Sequence, residues 1–341
     1  MEPTAVTHKY YGVMDAQSYH FGSEDINSPE CASLFTQRLT QPGGWFWHRI
    51  GGSDFDTVAR QRSIRKPQTL SKVLGKLESL ARQDRSRVRN LNGFFDLDSR
   101  SFEDTFQEYV SILDESYKRA EGFTYGGKQL IDHFNGAGTS RGFQATYATN
   151  VVQTKDHLSY EFIEAIYPFF ETLENWLAGQ RVLIVSPFSK SIEHQFANKE
   201  NLFREYKYPE FELETYNTPI TYNNSEDVRE GNLGSATSNW VTELDHMKRE
   251  ISERNFDIAL LSCGSYAGPL GVDIASRGKK AIYIGGVLNI LFNIFGQRYA
   301  TDYVRAILNP DATIDALETT EILGRAGGKS VPNEALRAYL R

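Results

Sequence analysis

A chain of 341 residues, 40% hydrophobic and 24% charged, has the composition of a soluble globular protein of one large or two modest domains. Its net charge of −7 speaks against a nucleic-acid partner, which needs a basic footprint. Two cysteines, Cys31 and Cys263, exclude a disulfide framework and a thiolate zinc site.

The first residues lack the basic start and apolar core of a secretory signal. A compositional change near residue 155 separates an Arg-rich part (45–155) from a strand–helix half (156–300), with residues 1–44 expected as an extension and 301–341 as a carboxyl-terminal tail. "GGWFWHRI" (43–50) reads as an aromatic strand entering the turn "GGSD". Residues 70–83 and 102–120 carry apolar side chains at helical spacing, and "NVV" (150–152) reads as a short strand. A helix is predicted from Ser159 to Ala178, divided by Pro168 and stopped at Gly179.

Beyond it, "RVLIVS" (181–186) is apolar on both faces, as in a strand covered by helices on both sides. A helix over 190–203, a strand "FELETYN" (211–217), a long polar loop (217–238) and an amphipathic helix from Trp240 to Glu253 follow. Residues 257–286 read as strand, glycine-rich turn, helix and strand; 285–299 then give a turn and an apolar helix. The window 281–296 is too short and too broken by Gly and Asn to cross a bilayer. Repeated strand–helix pairing predicts an α/β, Rossmann-like, doubly wound and mostly parallel sheet with helices on both faces. The compartment expected is cytoplasmic and reducing. The apolar helix could serve an oligomer contact, although burial against the sheet is its plainer role.

Such sheets bind ligands at the carboxyl ends of their strands. Three ends place small residues or hydroxyls before a helix start, where unpaired amides favour an anion. They are "SPFSKS", with Ser186 and Lys190; "SCGSYAG", with Gly264, Ser265, Tyr266 and Gly268; and "IGGVLN", with Gly285, Gly286 and Asn289. The middle turn is G-x-x-x-G-x-x-G rather than G-x-G-x-x-G, and no acid closes the following strand, which disfavours a dehydrogenase. No P-loop occurs, and Cys263 in place of glycine breaks the hydrolase elbow. Cys263 itself reads as a small buried hydrophobe. His194 reads as a packing or surface residue, and no histidine spacing suggests zinc.

A further cluster is "RIGGSDFD" (49–56), where Asp54 and Asp56 could hold Mg²⁺ or Mn²⁺ shared with a diphosphate. Its plain structural reading is an Asp capping a helix at a Gly-Gly-Ser turn.

These stretches together resemble a family of bacterial and viral proteins with the GT-D glycosyltransferase fold. The resemblance is carried by "RIGGSDFD", "AIYPFF" (165–170), "LAGQRVLIVSPFSKSIEHQF" (177–196), "FELETYN" and, most specifically, residues 256–299. It implies a transferase that takes a sugar from a UDP- or other NDP-sugar donor to a glycan acceptor in polysaccharide or protein glycan assembly. In the family a D-x-E motif helps bind metal and donor diphosphate. Asp54 matches its second acid, Arg49 and Gly51 match its flanks, and Gly52 stands where the first acid would be. The alternative is a nucleotide-sugar-binding protein or scaffold of the same fold without catalysis.

Overall fold

The computed structural model describes residues 20–21, 24–25, 36–37, 39–64, 88–89, 92–97, 102–125, 151, 156–159, 176–204, 206–221, 237–296 and 302–318. Two short strands, β1 (His20–Phe21) and β2 (Glu24–Asp25), pair antiparallel. Seven further strands form one sheet: β3 (Trp45–Arg49), β4 (Gly122–Tyr125), β5 (Asp156–Ser159), β6 (Arg181–Ser186), β7 (Glu212–Asn217), β8 (Ile258–Leu261) and β9 (Lys280–Tyr283). Their order is β5-β4-β3-β9-β8-β6-β7, and every neighbouring pair is parallel. Strands from both sides of residue 155 therefore share a single sheet.

The helices are α1 (Gly52–Ile64), α2 (Phe102–Arg119), α3 (Ser189–Phe196), α4 (Trp240–Ser252), α5 (Ala267–Ser276), α6 (Val287–Leu291) and α7 (Asp302–Ile307). Successive strand side chains point to opposite faces. Phe46, Leu183, Val185, Ala259, Leu261 and Ala281 face one core with α1, α2, α4 and α5. Trp45, Trp47, Val182, Ile184, Ile258, Leu260 and Ile282 face the other with α3 and α6. Both faces are thus covered, as the apolar runs of β6 and β8 require.

The handedness of the crossovers explains which helix lies where. The connections β3 to β4, β7 to β8 and β8 to β9 run in one direction along the sheet, and their helices lie on the first face. The connection β6 to β7 runs the opposite way, and α3 lies on the second face. Right-handed crossovers demand this exchange of faces.

Several expectations change in detail. β4 and β5 are strands that the sequence did not announce, and Ser159 closes β5 rather than opening a helix. Helix is present at Trp176–Leu177, and Gly179 ends it with φ +73°. Val151 is helical rather than extended. The helix predicted over 190–203 stops at Phe196, followed by a 3₁₀ turn at Lys199–Asn201. The apolar helix after Gly286 spans only Val287–Leu291, because Asn293 takes φ +51° while its side-chain Nδ2 donates to the carbonyls of Leu202 (3.0 Å) and Asn309 (2.7 Å). That helix is fully buried within the chain. The predicted helix over 70–83, residues 160–175 and most of the loop at 217–238 lie outside the described residues. Among the described residues, no helix is long and apolar enough to cross a membrane.

Candidate functional site

β6 and β8 are neighbours whose connections leave to opposite faces of the sheet. A crevice opens at the carboxyl ends of such a pair, and ligands of open α/β sheets lie there. The exits of β6, β8, β9 and β3 stand side by side along this edge.

At the β6 exit the chain uses its own groups. The Ser186 hydroxyl accepts from Phe188 N–H (3.2 Å), and its carbonyl accepts from the Ser189 hydroxyl (2.9 Å) and Thr218 N–H (3.3 Å). Glu318, remote in sequence and buried, accepts from Ser191 N–H (3.0 Å) and from the Ser191 hydroxyl. A carboxylate thus sits in the first turn of α3, where the helix dipole favours negative charge. Lys190 on the same turn is exposed.

The β8 exit is more open. Gly264 is exposed with φ +61°, a value that suits glycine. No described residue accepts a hydrogen bond from the amides of Gly264 and Ser265. The Ser265 side chain is committed elsewhere: its hydroxyl accepts from Trp240 Nε1 (3.0 Å) and donates to the Asn92 carbonyl (2.6 Å). Tyr266 is buried, and its ring stacks on Trp240 at 4.9 Å. Cys263 is buried with its thiol pKa pushed up by desolvation, which suits an inert side chain rather than a nucleophile. The close approach that Gly268 permits is that of α5 to both β3 and α2, because a Cβ there would stand 2.7 Å from His48 Nε2 and 2.7 Å from Ser116 Oγ.

Arg49 closes β3, and its side chain lies over Gly285 at the exit of β9; a Cβ on Gly285 would stand 3.0 Å from Arg49 Cδ. Gly285 has φ +69°, and its amide donates to the Leu261 carbonyl. The amide of Gly286 makes no hydrogen bond with a described residue. Asn289 is wholly buried with neither side-chain polar atom hydrogen-bonded to a described residue, and the same holds for the buried hydroxyl of Thr218 beyond β7. Buried groups of this kind call for a water or ligand partner.

Gly51 leads into α1, which begins at Gly52 and carries Asp54 in its first turn. Asp54 is buried, and its Oδ1 accepts from the Tyr109 hydroxyl (3.1 Å). Tyr109 in turn accepts from Asn92 Nδ2 (3.3 Å). Asp54 and Asp56 are two residues apart on a helix and so point about 200° away from each other. Among the described residues, no group of three or more His, Cys, Asp and Glu side chains stands together as a metal cage.

The structure therefore brings Asp54 and the Ser265 turn together, and Arg49 and Gly285 together, while Ser186 and Lys190 stand beside a turn already filled by Glu318. Sequence reasoning missed Tyr109, Asn92, Trp240 and Glu318 as members of this edge. Tyr109 left one signal, a polar tip on the apolar stripe of α2, which when buried needs a partner.

No protein-family model matches the chain, and no curated protein matches it. Two of the three solved structures that resemble it distantly are as follows. One is described as a new glycosyltransferase (DUF1792) from Streptococcus sanguinis; it is 12% identical over 76% of this chain and 80% of that one, with a TM-score of 0.41. The other is described as the highly conserved domain of unknown function 1792 with a distinct glycosyltransferase fold; it is 12% identical over 76% and 83%, with a TM-score of 0.37. At this distance nothing is transferred from them to this chain.

Proposed function

We propose that the chain is a glycosyltransferase that moves a sugar from a nucleotide-diphosphate sugar to a glycan or related acceptor. The observation that carries the reading is the pair of amides at Gly264 and Ser265 for which no described residue is an acceptor, beside the switch point between β6 and β8. Main-chain N–H groups on a glycine turn suit phosphate oxygens. The resemblance of residues 256–299 and of "RIGGSDFD" to GT-D proteins gives the same reading from sequence.

In this reading the diphosphate lies across the exits of β8 and β9. The amides of Gly264, Ser265 and Gly286 face its oxygens, and Arg49 adds positive charge. As the sugar leaves, negative charge grows on the departing nucleotide, and preorganised donors stabilise it there. Asp54 is the carboxylate assigned to the donor. Mg²⁺ or Mn²⁺, if required, would neutralise the diphosphate with Asp54 as its protein ligand and phosphate and water completing its shell.

The test is a thermal-shift and donor-hydrolysis panel of UDP-, GDP- and TDP-sugars, with and without Mn²⁺. A ligand present at a hundred times its Kd stabilises the fold by about 2.7 kcal/mol. At least one nucleotide sugar is expected to raise Tm, and Asp54→Asn, which keeps an acceptor for Tyr109, is expected to abolish transfer while costing no more than about 1–2 kcal/mol of stability. Full activity in that variant removes Asp54 from the mechanism; a silent panel removes the nucleotide. A second reading, binding without catalysis, is favoured by Gly52 at the position of the motif's first acid. Tm shifts without turnover for any acceptor would select it.

A further inference from the structure

We infer that Tyr109 is a positioning residue that holds the Asp54 carboxylate and, through Asn92, joins it to the Ser265 turn, so that the exits of β3 and β8 move as one unit. The functional consequence rests on the proposed donor site; the coupling itself does not.

Five elements contribute. Asp54 comes from α1, Tyr109 from α2, Asn92 from the segment 92–97, Ser265 from the turn after β8 and Trp240 from the start of α4. All five side chains are buried, Asp54 being the most exposed at 8%. The directions of the bonds follow from what each group can do. The Trp240 indole can only donate, so Ser265 accepts there and gives its own proton to the Asn92 carbonyl. Asn92 Nδ2 can only donate, so Tyr109 accepts there and gives its proton to Asp54. Every donor in the series points towards the carboxylate, the one member that only accepts. Burial and the neighbouring Asp54 raise the Tyr109 pKa well above its ordinary value, so the phenol keeps its proton.

The segment bearing Asn92 is itself pinned at both sides. Leu97 N–H donates to the Ser238 carbonyl (2.7 Å), and Trp240 N–H donates to the Phe95 carbonyl (3.0 Å). The Thr221 hydroxyl, at the end of the strand-exit segment after β7, donates to the Gly93 carbonyl (2.7 Å) and stands 3.4 Å from the Tyr266 hydroxyl. A shift at Ser265 is therefore transmitted to Asn92 rather than absorbed by a slack loop. Packing reinforces the link: the Tyr109 ring meets Trp240 edge-on at 4.7 Å, and Trp240 stacks on Tyr266 in the Ser265 turn.

Tyr109→Phe keeps these ring contacts and removes only the hydroxyl. Hydrogen exchange of the full, unliganded chain is the first measurement. Loss of a buried hydrogen bond is expected to speed exchange about fivefold in both 92–97 and 262–270, with β6 and β7 unchanged. Unchanged exchange in 262–270 overturns the inference. Ser265→Ala supplies the reciprocal test should Tyr109→Phe fail to fold: faster exchange about Asp54, in 51–58, supports the coupling, and a purely local change overturns it. With a nucleotide sugar that the wild type turns over, Tyr109→Phe is expected to lower kcat about tenfold with KM within about twofold; an unchanged kcat overturns the positioning role. Coupled exchange together with a silent nucleotide-sugar panel would leave the positioning unit standing and defeat the donor reading.

Discussion

Gly268 and Gly271 show how one residue type can look alike in sequence and serve different ends in the fold. With Gly264 they form a G-x-x-x-G-x-x-G series that reads as room for a diphosphate. Only Gly264 has the exposed, positive-φ backbone of a turn. Gly271 lets α5 press on β3, since a Cβ there would stand 2.1 Å from Cε2 of the wholly buried Phe46 ring. Gly271→Ala forces helix or ring to move in a packed core, an overpacking that typically costs about 1–3 kcal/mol. Its urea midpoint is expected to fall with an unchanged m value. An unchanged midpoint would mean that α5 has slack. The spacing of these glycines was legible, but their neighbours were not, because His48, Ser116 and Phe46 come from distant parts of the chain.

At the scale of elements, legibility followed burial except at β7, an edge strand that was read from its alternation. β6 and β8 are covered on both faces, and they stand out as apolar runs. β4 and β5 lie at and next to the sheet edge; their sequences, "GFTY" and "DHLS", carry no such run, and backbone pairing to β3 and to each other makes them strands. α4 was legible at both its apolar stripe and its start. Asn239 Oδ1 accepts from Thr242 N–H (3.0 Å), and Thr242 Oγ1 accepts from Asn239 N–H (3.1 Å), a reciprocal capping box. Asn239→Ala removes one half of it and is expected to cost about 1 kcal/mol. In a chain of this size that corresponds to a Tm lower by about 2 °C in a circular-dichroism melt. Because α4 begins with Trp240, which holds Ser265, a larger loss would show that the cap also supports the turn after β8.

On the scale of the whole molecule, the sheet order puts the switch point between β6 and β8, and the carboxyl-terminal segment fills one side of it. Residues 309–318 run along α3 and α6: Gln195 Nε2 donates to the Ala312 carbonyl (2.8 Å), Phe295 N–H donates to the Ile314 carbonyl (2.7 Å), and Ala316 joins the second core. The segment ends with Glu318 on Ser191, so the first turn of α3 already has its anion. A phosphate there would have to displace a buried carboxylate, whereas the amides of Gly264 and Ser265 meet no such competitor among the described residues. Two substitutions separate the sides. Glu318→Gln weakens a charged hydrogen bond at a helix start and is expected to cost about 1–2 kcal/mol of stability, while the response to a nucleotide sugar stays within about twofold. Gly264→Ala puts a Cβ at φ +61°, strains the turn by about 1–2 kcal/mol, and is expected to weaken the same response about tenfold. The reverse pattern, tighter binding in Glu318→Gln and none lost in Gly264→Ala, would move the phosphates to the β6 exit and make Glu318 their intramolecular rival.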